Sequence, residues 1–150
     1  MLPRTIDLRV ASFADLDTRT FHDLLKLRIE VFVVEQACPY PELDGRDVEP
    51  DTRHLWLSDG DTPVAYLRIL ADPGDVARIG RVVVAPTARG GGHAARLMTE
   101  ALAMVGHHPC VLEAQSHLVD FYARYGFTAS GPEYVEDGIP HTPMRREPTP

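Results

Sequence analysis

The sequence predicts an α/β fold around a mixed sheet, part antiparallel hairpin and part parallel crossover. Three observations carry this. Between Arg78 and Ala114 a strand, a glycine-rich turn, a strongly periodic helix and another strand follow in order, the signature of a βαβ unit. Upstream, two strand-like runs flank Asp59-Gly60-Asp61-Thr62-Pro63, a hairpin by its turn residues. At the start, Ile6, Leu8 and Val10 alternate with Asp7 and Arg9, the period of a half-buried strand.

The elements are read in chain order. Ile6 to Ala11 is the first strand. Thr20 to Phe32 reads as a helix, with Thr20 and Asp23 as a variant capping box and Phe21, Leu24, Leu25 and Phe32 along one stripe. Arg28 falls on that stripe, and a charge on the core side of a helix needs a partner or a purpose. Cys38 to Asp51 is rich in proline and acid; Glu42, Asp44, Asp47, Glu49 and Asp51 read as a solvated loop whose charge favours a cationic acceptor. The hairpin strands are His54 to Ser58 and Val64 to Leu70. Arg78 to Val84 follows, ending in Val82-Val83-Val84, a run that looks buried on both faces, and Pro86 stops it.

Ala94, Leu97, Met98, Ala101, Leu102 and Val105 recur at helical spacing, and Gly106 ends that helix. Cys110 to Ala114 is a short apolar strand. Ser116 reads as the cap of another helix, with Leu118, Phe121, Tyr122 and Tyr125 on its stripe and Gly126 at its close. A right-handed crossover sets the strands at Arg78 and Val111 parallel, with the glycine turn at their carboxyl ends. Two short strands are expected around Asp137-Gly138, and Glu147 to Pro150 reads as a frayed tail.

A length of 150 residues fits one domain spanning the whole chain, and 44% hydrophobic residues give it an ordinary globular core. No apolar run is long enough for a membrane span, and Arg4, Asp7 and Arg9 interrupt what a signal peptide keeps apolar, so a cytoplasmic protein is expected. Cys38 and Cys110 stand alone and read as buried, inert thiols. The histidines form no ligand pair on an expected helix, so no metal is expected. A net charge of -7 argues against a nucleic-acid partner. Yet Val76 to Thr99 holds no acid while carrying Arg78, Arg81, Arg89, His93 and Arg96, a stretch suited to a small anion.

Arg89-Gly90-Gly91-Gly92-His93-Ala94 lies where that anion would sit. Unpaired N–H groups and the positive end of a helix converge there, and three glycines remove the side chains that would hold a phosphate away. A Walker loop is excluded, since the only lysine is Lys26, and Ala94 and Ala95 break the Rossmann spacing. The stretch resembles motif A of the GCN5-related N-acetyltransferases (GNAT), Q/R-x-x-G-x-G/A, matched by Arg89, Gly92 and Ala94. Phe121-Tyr122-Ala123-Arg124-Tyr125-Gly126-Phe127 resembles the same family's F-Y-x-x-x-G-F block. Leu27 to Gln36, Asp44-Gly45, Ala114-Gln115 and Glu136 to His141 are most similar to its ElaA-like branch, and Arg28 to Val33 also resembles acyl-homoserine-lactone synthases.

The resemblance implies a GNAT fold: a central sheet of about six or seven strands, helices on both faces, and a splay between the fourth and fifth strands that holds acyl-CoA. It implies that Arg89, Gly90, Gly91, Gly92, His93 and Ala94 bind the coenzyme A pyrophosphate. Val82, Val83 and Val84 would pair with the pantetheine arm, an amide near Val83 or Val84 polarising the thioester carbonyl. Gln115 stands where many members carry an asparagine that touches the coenzyme. Tyr122 is implied as the acid that protonates the departing thiolate, and Arg28, Glu35 and His141 as acceptor-site residues. From the residues themselves, Glu113 ends an apolar strand, where partial burial raises a carboxyl pKa toward that of a general base; Glu35, His141 and water are open alternatives. The expected activity is acetyl-CoA-dependent N-acetylation of a primary amine of a small molecule or peptide, by a monomer or homodimer without metal. An acyl-homoserine-lactone-synthase-like reaction and a non-catalytic acyl-CoA-binding module are the competing readings.

Overall fold

The computed structural model describes residues 5–148. Arg4 and the last two residues of the expected tail lie outside the described residues. Strand β1 (Ile6–Ala11) leads to helix α1 (Thr18–Ile29), which continues as a π-helical segment, Glu30–Glu35. A loop containing a short 3-10 turn, Arg46–Val48, precedes the hairpin of β2 (Arg53–Asp59) and β3 (Thr62–Asp72). Then come β4 (Val76–Val84), α2 (His93–Val105), β5 (Cys110–Gln115), α3 (Val119–Ala123), β6 (Thr128–Ala129), β7 (Tyr134–Glu136) and β8 (Ile139–Arg146).

The described strands form one mixed sheet in the order β1-β2-β3-β4-β5-β8-β6, with β7 added on β8. Its strand count is eight, against six or seven expected; the two-residue β6 is too short for sequence periodicity to reveal. Alternation along β2 and β3 sends side chains to two cores. Leu55, Leu57 and Leu67 face α2, packing with Leu97, Met98 and Ala101, whereas Trp56 and Tyr66 face α1, packing with Leu24, Leu27 and Val31. Each fully buried Leu contributes roughly 1.5–3 kcal/mol. Both cysteines are buried, and burial pushes the Cys110 thiol up to about 11. Among the described residues, no helix is long and apolar enough to cross a membrane.

The expected crossover is present: β4 and β5 are the sheet's parallel pair. Their ladder holds only Ala77 against Cys110 and Arg78 against Val111, although β4 continues to Val84 and β5 to Gln115. The two strands therefore splay apart toward their carboxyl ends. A bulge in β4 accompanies the opening: the ladder to β3 steps from Tyr66–Val83 to Arg68–Gly80, one extra residue on the β4 side. Arg81 sits in this bulge with φ +56, a left-handed backbone costly for a side chain other than glycine. Val82 and Val84, expected to be buried, are half-exposed because β5 has left them.

Three local expectations are corrected. The cap of α1 is Asp17, whose carboxylate accepts from the Thr20 backbone N–H at 2.7 Å and the Thr20 hydroxyl at 3.0 Å, so the helix starts before Thr20. Ser116 caps nothing; its hydroxyl bonds that of Thr142 at 2.8 Å, and a 3-10 turn precedes a shortened α3. The loop from Cys38 to Asp51 folds inward, leaving Glu42 4% and Asp47 2% exposed.

That loop meets three arginines. Arg28, wholly buried, donates to Glu42 Oε2 and to Asp47 Oδ1, each at 2.7 Å. Arg68 reaches Asp44 at 2.9 Å and Asp47 at 3.0 Å, and Arg81 reaches Glu42 Oε2 at 2.8 Å. Three guanidinium groups thus balance three carboxylates, which makes burial of the charges tolerable. Buried His54 closes the network: Nε2 contacts the Asp47 carbonyl at 3.0 Å and Nδ1 the Tyr66 hydroxyl at 2.6 Å. A carbonyl only accepts, so the Nε2 end carries the proton and Tyr66 donates to Nδ1. Burial lowers the pKa of His54, consistent with that neutral ring.

Candidate active site

A cleft of about 1210 Å³ opens at the splay. Its walls are β4 from Arg78 to Val84, β5 from Leu112 to Gln115, the segment after α1, and the β7–β8 hairpin. The thiol of Cys38 donates to the Asp137 carbonyl at 3.2 Å, tying that segment to the hairpin.

The glycine turn lies between β4 and α2. Gly90 and Gly92 have φ of +86 and +76, conformations that glycine adopts without the penalty a Cβ brings. No heavy atom lies within 4 Å of where a Cβ would stand at either position, so the turn is bare on that side. Gly92 is the N-cap of α2 and no side chain caps the helix, leaving its first N–H groups for an outside acceptor. A bare turn, an uncapped helix start and a strand edge released from β5 fit the phosphates and the amide-bearing arm of an acyl-CoA.

A family model for the acetyltransferase (GNAT) domain matches residues 20–148. The chain belongs to the GNAT acetyltransferase family. A UPF0039 protein of Mycobacterium tuberculosis is 53% identical over 136 residues, covering 88% of this chain and 87% of that one. The crystal structure of Escherichia coli ElaA superposes with a TM-score of 0.89 at 40% identity, covering 95% of this chain and 100% of the other. A crystal structure of an acyl-CoA N-acyltransferase from Pseudomonas aeruginosa superposes with a TM-score of 0.90 at 45% identity, over 95% of this chain and 99% of its own. Within the family this is the ElaA-like branch, and the chain is an acyltransferase.

The GNAT turn carries an arginine that is already engaged. Arg89 donates to the Glu35 carboxylate at 2.6 and 3.0 Å, and its Nε reaches the Val84 carbonyl at 3.3 Å. Hydrogen bonds from Arg89 hold Glu35 below the usual carboxylate range. The ring of His93 folds back over the turn, with Nε2 3.1 Å from where a Cβ on Gly91 would stand. Ala94 lines the cleft beside it.

Tyr122 lines the cleft with 6% of its surface exposed, held edge-on by Phe121 at 5.1 Å and Phe127 at 6.4 Å. Among the described residues no side chain or backbone group hydrogen-bonds its hydroxyl, and burial pushes its pKa up to about 12. Gln115 also lines the cleft and donates to Gln36 Oε1 at 3.3 Å.

Glu113 reaches the cleft but is exposed, so the partial burial expected of it is absent. β5 ends in the open splay there, and both carboxylate oxygens are taken, by Arg78 at 3.3 Å and by the Tyr134 hydroxyl at 3.0 Å. Arg28 is corrected too. With no surface exposed and no place in the cleft lining, it stands behind the cleft wall as the centre of the ion network.

His141 lines the cleft from β8. Its Nδ1 contacts the Ile139 carbonyl at 2.8 Å, and because a carbonyl only accepts, Nδ1 donates a proton there and leaves Nε2 facing away from that bond. The ring stacks on Tyr134, centroids 5.5 Å apart. Tyr134 and Tyr40 have no sequence signal of their own, and Arg78, expected only as part of an anion-binding stretch, instead pairs with Asp72 and Glu113; the nearest signal for Tyr134 is the turn Asp137-Gly138, which places β7 against β8. Among the described residues no group of three or more His, Cys, Asp or Glu is placed to hold a metal.

Proposed function

We propose that this enzyme transfers an acetyl group from acetyl-CoA to a primary amine of a small molecule or peptide by direct attack on the thioester. The observation that carries the reading is the splay: β4 leaves β5 after Arg78, and the opening runs from Arg89 and Ala94, the two ends of the glycine turn, to Tyr122. When bound, acetyl-CoA supplies the acyl carbon, whose new bond to nitrogen replaces its bond to sulfur, and the thiolate leaves.

The residues divide the remaining work. The turn from Arg89 to Ala94 holds the pyrophosphate, Val82 to Val84 align the pantetheine arm, and Gln115 offers an amide to it. Tyr122, still a neutral phenol at physiological pH, has a proton to give the thiolate. An acceptor amine of ordinary pKa is only about one part in a thousand neutral near pH 7.4, so attack needs a proton acceptor. His141 suits that task, since the ring whose Nδ1 donates to Ile139 offers its Nε2 lone pair when neutral, whereas Glu113 and Glu35 are already occupied by arginines.

The test is thiol release from acetyl-CoA across amines, polyamines, amino acids and peptides. Amine-dependent release that His141→Gln slows while acetyl-CoA affinity persists supports the assignment. Tight acyl-CoA binding with no release on any amine supports a non-catalytic acyl-CoA-binding module instead.

A further inference from the structure

The charges lining the cleft do not cancel. Each arginine that lines it is met by carboxylate: Arg68 by Asp44 and Asp47, Arg78 by Asp72 and Glu113, Arg81 by Glu42 and Asp44, and Arg89 by Glu35. Glu136, at the end of β7, and Asp137, in the turn that follows, also line the cleft, and among the described residues neither carboxylate has an ion pair or a hydrogen bond; of the two, it is Glu136 whose charge reaches the neighbouring tyrosines. The surplus negative charge of the acceptor side therefore sits on the β7–β8 hairpin, not on the loop from Cys38 to Asp51.

The surroundings of Glu136 suit an organic cation. Its charge is felt by two tyrosines that flank this part of the molecule, Tyr40 and Tyr134. Tyr40 already carries a guanidinium, that of Arg81, 5.3 Å from its ring centroid, so the aromatic ring beside Glu136 is of the kind that holds positive charge. A carboxylate beside the attacking nitrogen would hold it protonated and inert. Glu136 is useful only if it takes a different positive group of the same acceptor.

We propose that Glu136 determines acceptor specificity, selecting a molecule that carries a second positive charge besides the amine it offers for acylation. The proposal rests on the amine-acylation reading above and names its substrate class: diamines, polyamines, or compounds with a basic side chain. Glu136 holds the distal cation and leaves the near nitrogen free to lose its proton.

The experiment compares α,ω-diaminoalkanes from propane to octane with their monoamine analogues, by equilibrium binding to the coenzyme A complex and by thiol release. The expected result is binding about tenfold tighter, and KM about tenfold lower, for at least one diamine over its monoamine. Glu136→Gln should close that gap in both readouts while kcat changes little. Glu133→Gln, an exposed neighbour outside the cleft lining, should preserve it. A gap in binding that Glu136→Gln abolishes, but without thiol release, supports the cation site while overturning the acylation reading. Equal binding of diamines and monoamines, or a gap that survives Glu136→Gln, overturns the proposal.

Discussion

Glu35 and Arg89 face one another across the cleft as a two-pronged ion pair, at 2.6 and 3.0 Å, although 54 residues separate them. The arginine of motif A is thus held by a carboxylate of the π-helical segment, and in the role proposed for it donor binding exchanges one anion for another. Glu35→Gln removes the competitor, so coenzyme A should bind several-fold tighter, and Arg89→Ala should weaken it by about tenfold. Calorimetric titration of both variants decides; unchanged affinity in Glu35→Gln would mean that the two anions do not compete.

Tyr122 gives a second prediction, from its burial and its unpartnered hydroxyl. Replacement by Phe retains the ring contacts with Phe121 and Phe127, so the melting temperature should hold while kcat falls at least about tenfold. Because the hydroxyl pKa is pushed up to about 12, the acid stays protonated through the working range, and the wild-type rate should show no alkaline decline from Tyr122 below about pH 10. Full kcat in a folded Tyr122→Phe variant would remove it from the mechanism.

Two neighbouring glycines should differ sharply. Gly92 has φ +76, so Gly92→Ala forces a Cβ into the left-handed region, at roughly 1–2 kcal/mol, and puts a methyl group on the bare side of the turn. Gly91 is not in that region, and the nearest atoms its added Cβ meets are those of the His93 imidazole, the far end of a side chain that can rotate away. Gly92→Ala should therefore raise KM for acetyl-CoA strongly, and Gly91→Ala mildly. Equal effects in steady-state kinetics would show that the methyl group, not the backbone angle, sets the penalty.

The same physics explains what was legible beforehand. Strands with alternating or continuous apolar runs, the periodic α2 and the glycine turn were readable because each depends on local spacing. The inward course of Cys38 to Asp51 was not, because an acid-rich stretch reads as solvated unless its partners are known, and Arg28, Arg68 and Arg81 come from α1, β3 and β4. Nor did any residue type announce the bulge at Arg81, where a non-glycine side chain takes a positive φ. Glu113 shows the reverse: its apolar strand predicts burial, but the splay that makes the cleft exposes the strand end. In the site, the donor half was carried by motifs, whereas Tyr134, Tyr40 and Glu136 assemble only when β7 folds back on β8.

The buried ion network makes the last prediction, with a pH signature. Arg28→Met leaves the Glu42 and Asp47 carboxylates short of a cation in a nearly dry site, which should cost about 3–5 kcal/mol at pH 7. In the wild type, although burial opposes it, hydrogen bonds from Arg28 and the charges of Arg28 and Arg68 hold the Asp47 pKa below its ordinary value. A depressed folded pKa contributes stability that is fully present above the unfolded pKa, about 3.9, and is lost as pH falls through the folded value. In Arg28→Met the sign reverses: without its guanidinium, buried Asp47 gains from taking a proton. The stability gap between wild type and variant should therefore be widest near neutrality and shrink as pH falls toward 4. Urea denaturation at both ends of that range measures it, and a gap of constant size would mean that Arg28 contributes packing over Tyr66, 5.4 Å from its ring, rather than charge.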